Sequence, residues 1–193
     1  ETFRTTYPPP CGDELVSVIV CTHNGARTLR SCLEGIAKLR YPRFEVIVVD
    51  DGSTDATADA AAAVGATVVR HSENCGAGAA TMTGIEAARR LGADVVVTLD
   101  ADEQHDAKDI PAMLEPIQAG TADIVFANRF GQRNHIPLIR RLFNAFGNLI
   151  TLAATGVYVQ DSQCGFKAFS AEAAEKCFSK LTRLSWSFDM ELL

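Results

Sequence analysis

Apolar residues fall along this chain in short unbroken runs, separated by stretches with helical spacing. Leu15 to Cys21 is a β-branched run, and Leu29, Cys32, Leu33, Ile36 and Leu39 then recur at the spacing of one helix face. Phe44 to Val49 reads as a second strand, ended by Asp50-Asp51-Gly52-Ser53. An Ala-rich helix is predicted from Asp55 to Val64, with Ser53 or Thr54 as its N-cap. Thr67 to Arg70 is a short third strand, and Asn74-Cys75-Gly76-Ala77-Gly78 leads into a helix ending near Gly92. Asp94 to Leu99 is the fourth strand, closed by Asp100-Ala101-Asp102; Lys108 to Gln118 is helical, and Asp123 to Ala127 is the fifth strand. Continuous apolar strands spaced by helices predict an α/β protein with a mostly parallel sheet covered on both faces. Such sheets bind ligands beyond the carboxyl ends of their strands, where three of the polar clusters fall.

After Arg129 the pattern changes to a long apolar stretch, Leu138 to Val159, headed by arginines. No internal repeat or linker interrupts the 193 residues, so one domain is expected over 15–193, with 1–14 as an extended lead-in containing Pro8-Pro9-Pro10. The end, Phe188 to Leu193, stops in mid-pattern, and the domain is expected to be truncated there. No run of about 18 apolar residues predicts a bilayer span.

Composition narrows the chemistry. Hydrophobic residues at 47% and charged residues at 22% exclude a disordered or low-complexity chain. A net charge of −6 argues against nucleic-acid binding. That total is uneven: from Ile124 through Gln160 there is no Asp or Glu, while Arg129, Arg133, Arg140 and Arg141 fall in that stretch. An anionic partner is expected to dock there. Cys11, Cys21, Cys32, Cys75, Cys164 and Cys177 form no CxxC pair and show no His at ligand spacing, which reads as free thiols in a reducing compartment.

A dinucleotide fold fails at the first loop, where Thr22-His23-Asn24-Gly25-Ala26 replaces the required glycines, and no Walker sequence is present. Asp100-Ala101-Asp102 is stronger. Both carboxylates leave the strand end on the same side, and would repel unless a cation sits between them or one is protonated. With Gln104 they offer three hard oxygens suited to Mg²⁺ or Mn²⁺; the bland alternative is a solvated turn capping the helix near Lys108. Asp51 could accept hydrogen bonds from a base or ribose, and Asp50 could satisfy the turn that follows.

The order of these pieces is itself informative. Val18-Ile19-Val20-Cys21-Thr22-His23-Asn24, Val48-Val49-Asp50-Asp51-Gly52-Ser53-Thr54-Asp55 and Leu99-Asp100-Ala101-Asp102 resemble the inverting family 2 glycosyltransferases of the GT-A fold. The likeness continues through Asn128-Arg129-Phe130, Asp161-Ser162-Gln163-Cys164-Gly165-Phe166-Lys167 and Trp186 to Leu193, and is closest to the polyprenyl-phosphate (dolichyl-phosphate) hexose synthases, glucosyl branch. The resemblance implies a Rossmann-like nucleotide-sugar-binding half and an acceptor half. It implies that Thr22, Asn24, Asp51 and Asp100 line the nucleotide-sugar pocket, and that Asp100, Asp102 and Gln104 hold Mg²⁺ or Mn²⁺. It places Arg129, Arg140 or Arg141, and Lys167 toward an acceptor phosphate, with Asp102, Arg129 and Asp161 carrying catalysis. His23 departs from it, since an aromatic Tyr is usual there. His71, His105 and His135 read as surface or packing residues, and Trp186 as core.

The expected reaction moves a hexose from a nucleotide sugar, UDP ahead of GDP, to polyprenyl phosphate at the cytoplasmic face of a membrane. A lipid phosphate is already an anion, so it needs steering by arginines rather than a general base. Two rivals remain at this level: transfer to a hydroxyl acceptor, with Asp161 or Asp189 as base, and a nucleotide-sugar-binding module without turnover.

Overall fold

A computed structural model describes residues 13–101, 106–127 and 164–180. Its elements run β1 (Val16–Thr22), α1 (Ala26–Ile36), β2 (Phe44–Asp50), α2 (Thr57–Ala62), β3 (Thr67–Arg70), α3 (Ala77–Leu91), β4 (Val95–Asp100), a 3₁₀ turn (Ala107–Asp109), α4 (Ile110–Gln118), β5 (Ile124–Phe126), β6 (Lys167–Ser170) and α5 (Ala171–Lys180). The sheet order is β3-β2-β1-β4-β6-β5. The pairs β3/β2, β2/β1 and β1/β4 are parallel, and β6 runs antiparallel to both its neighbours. The predicted mostly parallel α/β sheet is therefore what forms.

The unbroken apolar strands follow from coverage on both faces. Along β1, Val16, Val18 and Val20 point to a layer holding Leu29, Leu33 and Ile36 of α1 with Ile110 and Leu114 of α4. Ile19 points the opposite way, with Ile47, Val49, Val96 and Phe169, toward Ala80, Ile85 and Ala88 of α3. Alternate positions thus serve two cores, and no position from Val16 to Val20 is left for water.

Connectivity sets where a ligand can enter. The chain winds outward from β1 to β2 to β3, and α3 then carries it back across the opposite face to β4 on the other side of β1. Strand order reverses between β1 and β4, which is where open α/β sheets leave a crevice at their carboxyl ends. No helix among the described residues is long and apolar enough to cross a membrane.

Two sequence expectations are corrected. Helix α2 starts at Thr57 behind Ala56, without a side-chain cap from Ser53 or Thr54. Those two side chains face the first loop instead: the Ser53 hydroxyl accepts from Asn24 N at 2.8 Å, and Thr54 Oγ1 donates to Asn24 Oδ1 at 3.3 Å. Strand β6 was not predicted at all, and it inserts between β4 and β5.

Close packing of α3 on the sheet depends on Gly84. A Cβ there would press on Ile19 Cγ2 and stand 3.2 Å from Val49 Cγ2. Gly84→Ala gains about 1 kcal/mol of helix propensity but overpacks a rigid site at roughly 1–3 kcal/mol. We expect a net loss of up to about 2 kcal/mol in urea denaturation; a stabilised variant would contradict this packing.

Candidate active site

The carboxyl ends of β1 and β2 are tied together residue by residue. Thr22, buried at the end of β1, pairs in register with Asp50. Asn24, a non-glycine residue at φ 51°, accepts at Oδ1 from Thr54 N at 2.9 Å. The next two amides donate across the same gap, Gly25 N to Thr57 Oγ1 and Ala26 N to Asp55 Oδ2. His23 Nδ1 lies 2.7 Å from the Asp51 carbonyl, so it carries the proton, and Nε2 then accepts from Asn24 Nδ2 at 3.0 Å. His23 and Asn24 are thereby held as an exposed lip.

The two aspartates at the end of β2 divide their roles. Asp50 is wholly buried; its Oδ1 accepts from Ser53 N at 2.9 Å, and its Oδ2 lies 3.2 Å from Arg70 Nε without hydrogen-bond alignment. It satisfies the turn that follows β2, the role its position suggested. Asp51, 4% exposed, reaches the loop after β3. Its Oδ1 accepts from His71 Nδ1 at 2.7 Å and Cys75 N at 2.9 Å, and its Oδ2 from Gly76 N at 2.9 Å. Burial pushes this carboxyl up, but the Cys75 amide, the His71 ring and the Gly76 amide outweigh it and hold it below the usual carboxylate range.

His71 is the residue that sequence reasoning passed over. Its ring bridges Asp51 to Thr83 Oγ1 on α3, 2.9 Å from Nε2, and its backbone N donates to Asp50 O at 2.9 Å. The one sequence signal was its place directly after a strand that ends beside Asp50-Asp51. Gly52 completes the arrangement at φ 69°: a Cβ there would stand 2.6 Å from Asn74 N and 2.7 Å from Glu73 Cα, so only glycine lets the two loops close on each other.

Asp100 closes β4 on the other side of β1, in register with Cys21. Its side chain is exposed, whereas Leu99 and Ala101 beside it are buried. The half-buried Cys21 thiol is pushed up to about 12, mainly by burial, with Asp100 and Asp51 adding to the effect. Both carboxylates thus act on the end of β1. An anionic ligand entering here meets like charge unless a cation accompanies it.

Two donor sets could hold that cation. Asp51, His71 and Cys75 place potential ligand atoms within 4.8 Å of one another, bringing a cysteine and a histidine together where the sequence was read as showing none at ligand spacing. Here Asp51 already accepts three hydrogen bonds and both His71 nitrogens are engaged; nitrogen and sulfur also suit softer ions than Mg²⁺. Asp100 fits a hard ion better: an exposed carboxylate at a strand end, with the backbone of Gly165 so close that a Cβ would collide with it. Its expected partners Asp102 and Gln104 lie outside the described residues, as do Arg129, Arg140, Arg141, Asp161, His105, His135 and Trp186. Lys167, expected to face the acceptor, is 3% exposed on β6, with Nζ 5.8 Å from the centre of the Phe126 ring. Cys21 and Cys75 are free thiols.

Replacing Asp51 tests the hub. In Asp51→Asn an NH₂ must face an amide donor, at roughly 1–3 kcal/mol. The Asp51 carboxyl is lowered on folding, so its contribution is complete above the unfolded value of about 4 and is lost as pH falls through the folded one. Urea denaturation should show the full deficit at pH 7, shrinking below about pH 4. A deficit independent of pH would contradict the charged hub.

Comparison with known proteins agrees with this geometry. The family described as Glycosyl transferase family 2 matches residues 17–178. The UDP-N-acetylglucosamine–dolichyl-phosphate N-acetylglucosaminyltransferase of Methanococcus voltae is 30% identical over 83% of this chain and 71% of its own length. The polyprenol monophosphomannose synthase of Mycolicibacterium smegmatis is 28% identical over 91% of this chain and 69% of its own. Among solved structures, glucosyl-3-phosphoglycerate synthase from Mycobacterium tuberculosis, in complex with Mn²⁺, UDP and phosphoglyceric acid, superposes with a TM-score of 0.66 at 26% identity. That match covers 83% of this chain, which spans 57% of the neighbour. With its sheet order, its strand-end aspartates and these relatives, the chain is a GT-A protein and belongs to glycosyl transferase family 2.

Proposed function

We propose that this protein transfers a hexose, glucose from UDP-glucose, to polyprenyl phosphate with inversion, working peripherally at the cytoplasmic face of a membrane. The observation that carries this reading is a conjunction. The relatives named above act with dolichyl or polyprenol phosphates, and this chain keeps a stretch from Ile124 to Gln160 with four arginines and no carboxylate.

In this reading the nucleotide lies over the carboxyl ends of β1, β2 and β4. Asp51 uses three of its four acceptor positions on the loop after β3, and the fourth is available to a base or ribose donor. Thr22 and Asn24 shape the wall beside it. Asp100, Asp102 and Gln104 would hold Mg²⁺ or Mn²⁺, which when bound offsets the charge that builds on the leaving diphosphate. Arg129, one of Arg140 and Arg141, and Lys167 orient the acceptor phosphate for attack on the anomeric carbon from the opposite face. Asp161 lies in the motif on that acceptor side. No general base is required, because the attacking oxygen is already charged. Apolar residues of the same segment rest on the bilayer, and its arginines favour anionic headgroups.

A second reading has support from the phosphoglyceric acid in the neighbouring structure: transfer to the hydroxyl of a small acidic acceptor. The two separate on one experiment. Labelled product from UDP-glucose and polyprenyl phosphate should partition into the organic phase. Arg129→Lys should raise the Michaelis constant for polyprenyl phosphate and Arg129→Ala should raise it further, because a guanidinium grips phosphate through two parallel hydrogen bonds that an ammonium cannot copy. UDP affinity should stay near wild type. Water-soluble product, or a folded Arg129→Ala variant with unaltered acceptor kinetics, would overturn the lipid-phosphate reading.

A further inference from the structure

The acceptor-side motif and the strand-end carboxylate of β4 meet at one backbone position. A Cβ built on Gly165 would stand 2.5 Å from Asp100 Cγ and 2.7 Å from Oδ1, with Oδ2 nearer still. These separations are well inside van der Waals contact, so any side chain at 165 and the present Asp100 carboxylate exclude each other.

The backbone at 165 has little room to retreat. Thr98 Oγ1, on the strand that ends in Asp100, donates to Gly165 O at 2.7 Å. Cys164 and Phe166 on either side are 0% and 1% exposed, and Phe166 O accepts from Ala127 N at 3.0 Å. The following residue, Lys167, is locked in register between Thr98 and Phe126. An added methyl would therefore displace the aspartate rather than the loop. Gly165 also has no positive φ, so alanine there meets no backbone strain and its effect falls on the neighbouring side chain.

We propose that Gly165 is a positioning residue for Asp100: its missing side chain is the space that lets the carboxylate point toward the cation, and Thr98 pins it in place. The inference rests on the reading of Asp100 as a ligand of Mg²⁺ or Mn²⁺. It also makes the acceptor-side motif part of the cation site's wall.

Mn²⁺ binding in the presence of UDP, followed by electron paramagnetic resonance on the full chain, tests this without turnover. Asp100→Asn should abolish tight binding. Gly165→Ala should weaken it at least tenfold while its melting temperature stays close to wild type. Thr98→Val, which keeps the shape but loses the hydroxyl, should weaken it about threefold and decides the matter if Gly165→Ala does not fold. If Asp100→Asn binds Mn²⁺ normally, the cation reading itself fails and this inference falls with it. If Asp100→Asn loses binding while folded Gly165→Ala, or Thr98→Val in its stead, keeps it, the positioning role alone is overturned.

Discussion

A carboxylate taken out of water must find donors inside the protein, and Asp51 finds them on a loop remote in sequence. Two backbone amides, from Cys75 and Gly76, and the ring of His71 converge on its two oxygens. The pull of this charge closes the loop after β3 onto the end of β2 and sets the entry of α3, whose helix begins at Ala77. Thr83 of the same helix holds the far side of His71, so the helix and the aspartate brace each other through one imidazole. The sheet and its two cores supply the platform; this single buried charge shapes what stands on it.

The described part of the cleft is acidic, with Asp51 and Asp100 flanking the end of β1. In the proposed reading a nucleotide diphosphate, itself an anion, would enter this cleft together with a cation, and the acid-free, arginine-bearing stretch lies elsewhere in the chain. Opposite charges are thus separated along the sequence: carboxylates at the strand ends, arginines from Arg129 onward. The close approach of Gly165 to Asp100 brings the segment from Cys164 to Lys167 up to the acidic side. This contact joins the end of β4 to the segment that leads into β6.

Much of the fold was legible because parallel strands covered on both faces leave a run such as Val46 to Val49 with no polar interruption. Asp100 and Asp51 stood out because each ends such a run. The start of α2 was misread because Ser53 and Thr54 have the chemistry of helix caps, yet a nearby loop offered them partners that local sequence does not reveal. Strand β6 escaped notice because four residues headed by a lysine carry no strand signal; burial of Lys167 against Phe126 is a tertiary effect. His71 was dismissed for the same reason. A histidine in a loop is ordinary until the fold places a carboxylate beside it.

The central claim is that ligand binding is organised by the loops Asp51 ties together at the carboxyl ends of β1, β2 and β3. Backbone hydrogen exchange with and without UDP and Mn²⁺ tests it most directly, because local protection reports which segments a ligand orders. The account predicts slowed exchange at Asn24-Gly25, Gly52-Ser53-Thr54 and Glu73 to Ala77, with the amides of α4 unchanged. Binding of UDP that leaves all three loops exchanging as in the free protein would contradict it.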